Sequence, residues 1–307
     1  MTDVVCLGIL VADVIARPVD RVPDSGSLAL IDEICLRGGG CALNTGTALT
    51  RLGLAVTCAG KVGRDPFGDF VLGLFDERGI DRSLVIRSDE APTSASVALV
   101  DSAGERTFLH VPGANGSLRA EEFDLDRVLG ARAFHVAGAL VLPALDGGPT
   151  ARLLAEARRR GVFTSLDTVW DATGGWGRLV PSLPHLDLLC LSRAEAAALS
   201  GEADPARAAA WARERGAKTV AIKLGADGCW IEDGAFAGHV PAPRVDAVDS
   251  TGAGDAFAAG LIYARLQDWP LERAAGFANA VGAASTTAVG AAEGLPTIEE
   301  VTAWTPA

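Results

Sequence analysis

The heptapeptide Asp249-Ser250-Thr251-Gly252-Ala253-Gly254-Asp255, which runs straight into the apolar stretch Ala256 to Leu266, places an acid beside a candidate anion site. Glycines 252 and 254 can turn successive backbone N–H groups toward one point in space. A helix beginning there adds the positive end of its dipole. Such donors would stabilise charge on a transferring phosphoryl group, and Asp255 in the first turn could accept the proton of an attacking hydroxyl. This is kinase chemistry, with Asp255, Gly252, Ala253 and Gly254 as the expected catalytic set. The same residues would also suit an ordinary helix start, because Asp, Ser and Thr are common N-caps and glycine is common in tight turns.

A second glycine segment, Gly38-Gly39-Gly40-Cys41-Ala42-Leu43-Asn44, opens another helix. Its backbone can approach a ligand closely while Asn44 presents an amide from the first turn, which suits a polyol. Neither a G-x-x-x-x-G-K-[ST] phosphate loop nor a G-x-G-x-x-G after a strand occurs, so P-loop and dinucleotide readings lose their main support. The segment Asp167-Thr168-Val169-Trp170-Asp171 follows an expected strand and projects from its carboxyl end, where open α/β sheets bind ligands. Asp167 and Asp171 are therefore candidates for the substrate or magnesium shell. The sugar-side segments show no arginine cluster that would pair a second phosphate, which favours an unphosphorylated sugar or a sugar acid.

Positioning these groups requires a scaffold, and the chain supplies alternating elements. Val4 to Val11, Val56 to Val62, Ala133 to Ala137, Val162 to Asp167, Leu186 to Leu191 and Thr219 to Leu224 read as buried strands, and their continuous apolar character predicts a parallel sheet. Leu43 to Leu52, Phe70 to Arg78, Ala151 to Arg160, Pro205 to Arg215, Ala256 to Leu266 and Leu271 to Ala288 read as helices between them. The expected fold is a doubly wound α/β sheet with helices on both faces, one domain over 1–307. Ala12 to Arg37 and Pro92 to Val111 break the rhythm, with Ser94, Ser96 and Ala98 alternating against Ala95, Val97 and Leu99. They predict a small half-exposed β-sheet, a lid able to exclude water from phosphoryl transfer or to pair with a second subunit.

Composition bounds the rest. The 307 residues are 49% hydrophobic and 21% charged, the profile of a soluble globular enzyme. A formal charge of −12 argues against nucleic acid as a partner. No stretch is long enough to span a membrane, and Met1-Thr2-Asp3 lacks a basic leader, so a cytoplasmic protein is expected. The six cysteines form no C-x-x-C pair and the four histidines show no ligand spacing, so neither disulfides nor zinc is indicated.

With both glycine segments in view, the chain resembles the ribokinase-like, or PfkB, family of carbohydrate kinases over nearly its full length. The resemblance is carried by Gly8 and Asp13, Gly39-Gly40-x-x-x-Asn44, Gly60-Lys61-Val62-Gly63-Arg64-Asp65-x-x-Gly68, Pro112-Gly113-Ala114-Asn115, Lys223-Leu224-Gly225-Ala226-Asp227-Gly228 and the 249–255 heptapeptide. It implies Asp255 as base, amides of 252–254 as anion hole, and Asp13, Gly39, Gly40, Asn44 and Asn115 on the sugar. On the nucleotide side it implies Gly225, Gly228, Thr251 and Asn279, with Lys223 approaching the phosphates. ATP and Mg2+ are the implied cofactors, with K+ as a further candidate: Asp249, with backbone carbonyls near Thr251 and Gly290, is similar to a monovalent-cation site. The family's N-x-x-E appears as Ser192-Arg193-Ala194-Glu195, so Glu195 would reach magnesium through water while Ser192 replaces an Asn. Cys41 stands where ribokinases proper tend to carry Lys. The expected activity is transfer of the ATP γ-phosphoryl group to a small sugar or sugar acid, with the lid sheet making a homodimer. Alternatives are a nucleoside kinase of the same fold and a sugar-binding regulator that has lost catalysis.

Overall fold

A computed structural model describes residues 2–304. Its strands are β1 (Val4–Gly8), β2 (Val11–Arg17), β3 (Glu33–Gly39), β4 (Val56–Gly63), β5 (Asp81–Ser88), β6 (Ala95–Val100), β7 (Arg106–Val111), β8 (Ala133–Ala139), β9 (Phe163–Thr168), β10 (Leu188–Ser192), β11 (Thr219–Lys223), β12 (Cys229–Glu232) and β13 (Ala237–Val240). Nine form one sheet in the order β13-β12-β11-β10-β9-β8-β1-β4-β5, parallel throughout except for the antiparallel β12 and β13. Strands such as β1 and β4 are buried at every residue, so alternate side chains feed two cores. Val4 and Cys6 pack with the helices Cys41–Arg51, Ala253–Leu266 and Leu271–Ser285, while Val5 and Leu7 pack against Leu153, Leu154 and Ala209 on the opposite face. Helices on both faces of a parallel sheet are what continuous apolar strands require.

The expected strand Val4 to Val11 is two strands. Gly8 runs so close to β8 that a Cβ there would lie 1.9 Å from the Ala137 carbonyl oxygen. Beyond it the chain turns, and the buried Asn115 brackets the turn, donating to the Leu10 carbonyl at 3.0 Å and accepting from the Leu10 amide at 3.3 Å. From there β2 enters a second, four-stranded sheet of order β3-β2-β6-β7. Register aligns its side chains into rows on one face: Arg37, Asp13, Ser96 and His110 form one, and Cys35, Ile15, Ala98 and Phe108 the next. The polar half of the Ser94-to-Leu99 alternation faces inward. Ser94, Ser96 and Ala98 are buried, whereas Val97 points away from the body of the protein and is 36% exposed. No helix of the described residues is long and apolar enough to cross a membrane.

Candidate active site

The 249–255 loop lies where the small sheet meets the carboxyl ends of the large one. The helix that follows starts at Ala253 with Gly252 as N-cap, at φ +76°, a conformation glycine adopts without steric cost. No side chain caps this helix, so Asp249, Ser250 and Thr251 are not serving as caps. Among the described residues the amides of Gly252, Gly254 and Asp255 donate to no acceptor, whereas the Ala253 amide is bonded to the Ser250 carbonyl at 3.2 Å. Of the amides expected to form the anion hole, that of Ala253 is engaged, and those of Gly252 and Gly254 remain free to donate, with the Asp255 amide beside them. Lys223, at the end of β11, supports it. A Cβ at Gly254 would lie 2.9 Å from the Lys223 Nζ, so the ammonium rests against the loop. Although burial opposes its charge, the acids Asp167, Glu195 and Asp255 around it hold its pKa above the ordinary value.

Asp255 is buried in the first turn of that helix. Its Oδ2 accepts from the Asn44 Nδ2 at 2.8 Å, a bond to a charged group of a kind worth about 1.5–3 kcal/mol. Asn44 is set in place by Gly40, the N-cap of the Cys41–Arg51 helix, whose φ of +93° and approach to the Ile9 carbonyl leave no room for a Cβ. The second polar atom of Asn44, Oδ1, is buried without a partner. Burial and the nearby Asp167 carboxylate push the Asp255 pKa up to about 6, against the pull of Asn44, Lys223 and the Cys41 thiol. Burial and the same carboxylates raise the Cys41 pKa, keeping it a neutral donor.

Two cavities flank the residues that hold this acid. One, of about 630 Å³, is bounded by Lys223, Gly225, Gly228, Ser250, Gly254 and Asn279. Asn279 also donates to the Val240 and Pro241 carbonyls, fixing the loop that forms the cavity's far wall. The other, of about 200 Å³, lies under the small sheet between Asp13, Gly39, Gly40 and Asn44 on one side and Thr251 with Gly290 on the other. Asn44, the bonding partner of Asp255, borders the smaller cavity and Gly254, its chain neighbour, the larger, while Asp255 itself lies buried behind them and lines neither. Asp13 packs onto Gly39, where a Cβ would lie 2.2 Å from Oδ2. Its burial raises the pKa, against the Ser96 hydroxyl and the His110 ring.

Several expected residues stand elsewhere. Asn115 is fully engaged with Leu10 and borders neither cavity. Asp167 is 1% exposed, accepts the Gly138 amide at 2.6 Å and lies 3.7 Å from His135 Nε2, so it acts on its neighbours through charge and not through contact with a ligand. The His135 ring, the Gly138 amide and Lys223 outweigh burial and keep it ionised. Asp171 closes its own loop, accepting from Thr173, Gly175 and Arg178, and is held down to about 2. Thr251 borders the smaller cavity instead of the larger. Ser192 and Glu195 form a capping box, the Glu195 Oε2 accepting the Ser192 amide at 2.6 Å.

The expectation of no arginine cluster is overturned. Arg17, Arg37, Arg78 and Arg106 all border the smaller cavity. They are scattered through the sequence: Arg17, Arg37 and Arg106 stand on strands of the small sheet, and Arg78 follows the helix Pro66–Glu77. Period-2 alternation from Asp13 through Arg17 and from Cys35 to Arg37 was the available signal.

Residues 1–298 match the model of the pfkB family carbohydrate kinases. The chain belongs to that family. It is similar to 2-dehydro-3-deoxygluconokinase of Bacillus subtilis, 33% identical over 85% of this chain and 84% of the relative. It is also similar to aminoimidazole riboside kinase of Salmonella typhimurium, 32% identical over 84% of each. Among solved structures, fructokinase with bound ATP from Xylella fastidiosa superposes with a TM-score of 0.82 at 26% identity, covering 98% of this chain and 97% of that one. The protein is accordingly a carbohydrate kinase, a phosphotransferase with an alcohol group as acceptor.

Proposed function

We propose that the protein transfers the γ-phosphoryl group of ATP to a hydroxyl of a small sugar acid. The nucleotide lies in the larger cavity along Lys223, Gly225, Gly228 and Asn279, and the sugar in the smaller one under the small sheet, which serves as lid. The observation that carries this reading is Asp255, whose bonding partner Asn44 borders one cavity and whose chain neighbour Gly254 borders the other, beside amides with no internal acceptor.

A hydroxyl entering from the sugar side meets the orphaned Asn44 Oδ1 and the Asp255 carboxylate. Asp255 takes its proton, the alcohol oxygen bonds to the γ-phosphorus, and the bond from that phosphorus to the bridging oxygen breaks to leave ADP. Charge on the passing phosphoryl group is met by the Gly252 and Gly254 amides and by Lys223. With a pKa of about 6, Asp255 is ionised at neutral pH yet more basic than an ordinary carboxylate, the compromise a general base needs. Asp13 spans two adjacent sugar hydroxyls.

Magnesium would enter with the nucleotide and neutralise its phosphate oxygens. Glu195 fits it through water, since one carboxylate oxygen is committed to Ser192 and the other makes no hydrogen bond among the described residues. The one convergent set of possible metal ligands among the described residues, Cys41, Asp167 and Asp255, contains a thiol, a poor partner for magnesium.

The sugar-acid reading rests on Arg37. It projects from the inner face of the small sheet beside Asp13 and has no ion partner among the described residues, unlike Arg17, which pairs with Glu33 at 2.5 Å. A carboxylate on the substrate would complete it. The exposed Phe108 on the same face favours a second reading, a nucleoside whose base stacks there. A panel of sugar acids, hexoses, ribose and nucleosides, read by ADP release, decides between them, with fastest turnover expected for a sugar acid.

The opposite face of the small sheet exposes Ile34, Leu109 and Val111. We propose that it pairs with a second copy, a homodimer that sedimentation of the purified protein would detect.

A further inference from the structure

The carboxylate of Asp249, whose side chain is 5% exposed, is surrounded by donors. Its Oδ1 accepts from the Thr251 amide at 2.9 Å, the Thr251 hydroxyl at 2.7 Å and the Arg106 guanidinium at 2.7 Å. Its Oδ2 accepts from the Gly290 amide at 2.9 Å. A monovalent-cation site at this acid would need oxygens converging on the ion, with the carbonyls near Thr251 and Gly290 among them. Here both residues turn N–H groups toward the carboxylate, and the positive charge is already present as a guanidinium. The residues do not fit a bound potassium ion, and that expectation is corrected.

Arg106 lies 143 residues away in sequence, at the start of β7 on the edge of the small sheet. Its second terminal nitrogen bonds the Thr251 hydroxyl, next to the Gly252 N-cap. The fork therefore clasps Asp249 and Thr251, two of the three polar side chains that precede the anion-binding amides. A planar guanidinium satisfies two acceptors at fixed separation, which a spherical ion or an ammonium does not.

We propose that Arg106 is a built-in replacement for a monovalent cation: the small sheet carries it to Asp249 and Thr251, where it fixes the 249–252 turn and makes potassium dispensable. It is a positioning residue, acting on the phosphoryl group through that turn. The same contact ties the sheet that covers the sugar to the loop that holds the phosphate, so covering the substrate and completing the anion site are one event. This rests on the kinase reading above for its effect on turnover, but not for its effect on the ion.

The test has two arms. In melting experiments, which require no turnover, the unaltered protein should unfold at the same temperature in potassium chloride and in choline chloride. Arg106→Met should unfold a few degrees lower, because Asp249 is left buried and unpaired. In turnover, the unaltered enzyme should be indifferent to the choice of salt. Arg106→Met should lose about tenfold in kcat in choline chloride, the scale of one charge-assisted bond, whereas Arg106→Lys, which keeps the charge but not the fork, should lose less than the Met variant and stay below the unaltered enzyme. A specific rise in melting temperature with potassium in the unaltered protein, or its activation by potassium, would overturn the proposal. So would wild-type kcat in Arg106→Met, or an equal loss in Arg106→Lys. Absence of turnover on every substrate, with melting as expected, would count against the kinase reading and leave the ion replacement standing.

Discussion

The two walls of the active site are built on different principles. The wall contributed by the large sheet holds its ionic groups buried and balanced against one another: Asp255 bonds Asn44, Asp167 faces His135 and the Gly138 amide, and Lys223 lies among three carboxylates. The wall contributed by the small sheet carries charge on strands open to solvent, with Arg17 and Arg37 exposed and Asp13 half-buried. Burial fixes geometry and shifts pKa values, which reaction chemistry needs. A solvated, strand-borne row of side chains can change without disturbing a core, which suits recognition of one substrate among many. The comparison assigns catalysis to the first wall and selectivity to the second.

Substitution on the buried wall should do most damage. Asp255→Asn keeps the shape and the Asn44 contact but loses the proton acceptor, and kcat should fall by at least about a hundredfold with nucleotide affinity nearly unchanged. Its stability should move the other way. Asp255 has a folded pKa of about 6 against 3.8 for the free group, so its protonation favours folding in acid, and this contribution is lost as pH rises through 6. Asp255→Asn should therefore melt above the unaltered protein at neutral pH, with the gap closing toward pH 4, as calorimetry across that range would show. Equal melting at both ends would mean that the acid is not destabilised by its surroundings.

On the open wall, Arg37→Ala should raise KM for a sugar acid about tenfold while leaving kcat and a neutral sugar's KM nearly unchanged. An equal change for acid and neutral sugars would remove Arg37 from selectivity. Smallest for chemistry should be Asn115→Ala, which frees the Leu10 amide and carbonyl in the core. It should cost about 1–3 kcal/mol of stability, read by denaturant unfolding, without altering turnover per folded molecule.

The parallel core was legible because its strands are apolar without interruption and its helices carry their own period, so local pattern and global fold agree. The strands β5, β12 and β13 escaped because they are short or half-exposed, with charged residues such as Asp81, Arg82 and Glu232 breaking the apolar signal. The 249–255 loop and Asn44 were legible as local chemistry. Asn115, Asp167 and Asp171 were misplaced because an acid or amide at a strand or turn end looks the same whether it faces a ligand or closes its own backbone. Arg106 on Asp249 could not have been read, since it depends on the register of β6 against β7 and on the approach of two distant segments.

The central claim is that a carboxylate, lifted by its burial and further by a second carboxylate, accepts the substrate's proton. Its most direct test is the acid limb of kcat/KM at saturating magnesium–ATP. We predict that activity falls below about pH 6 and that Asp167→Asn, by removing the neighbouring charge, moves the fall to lower pH. A profile flat down to pH 4, or a limb that Asp167→Asn leaves in place, would contradict it.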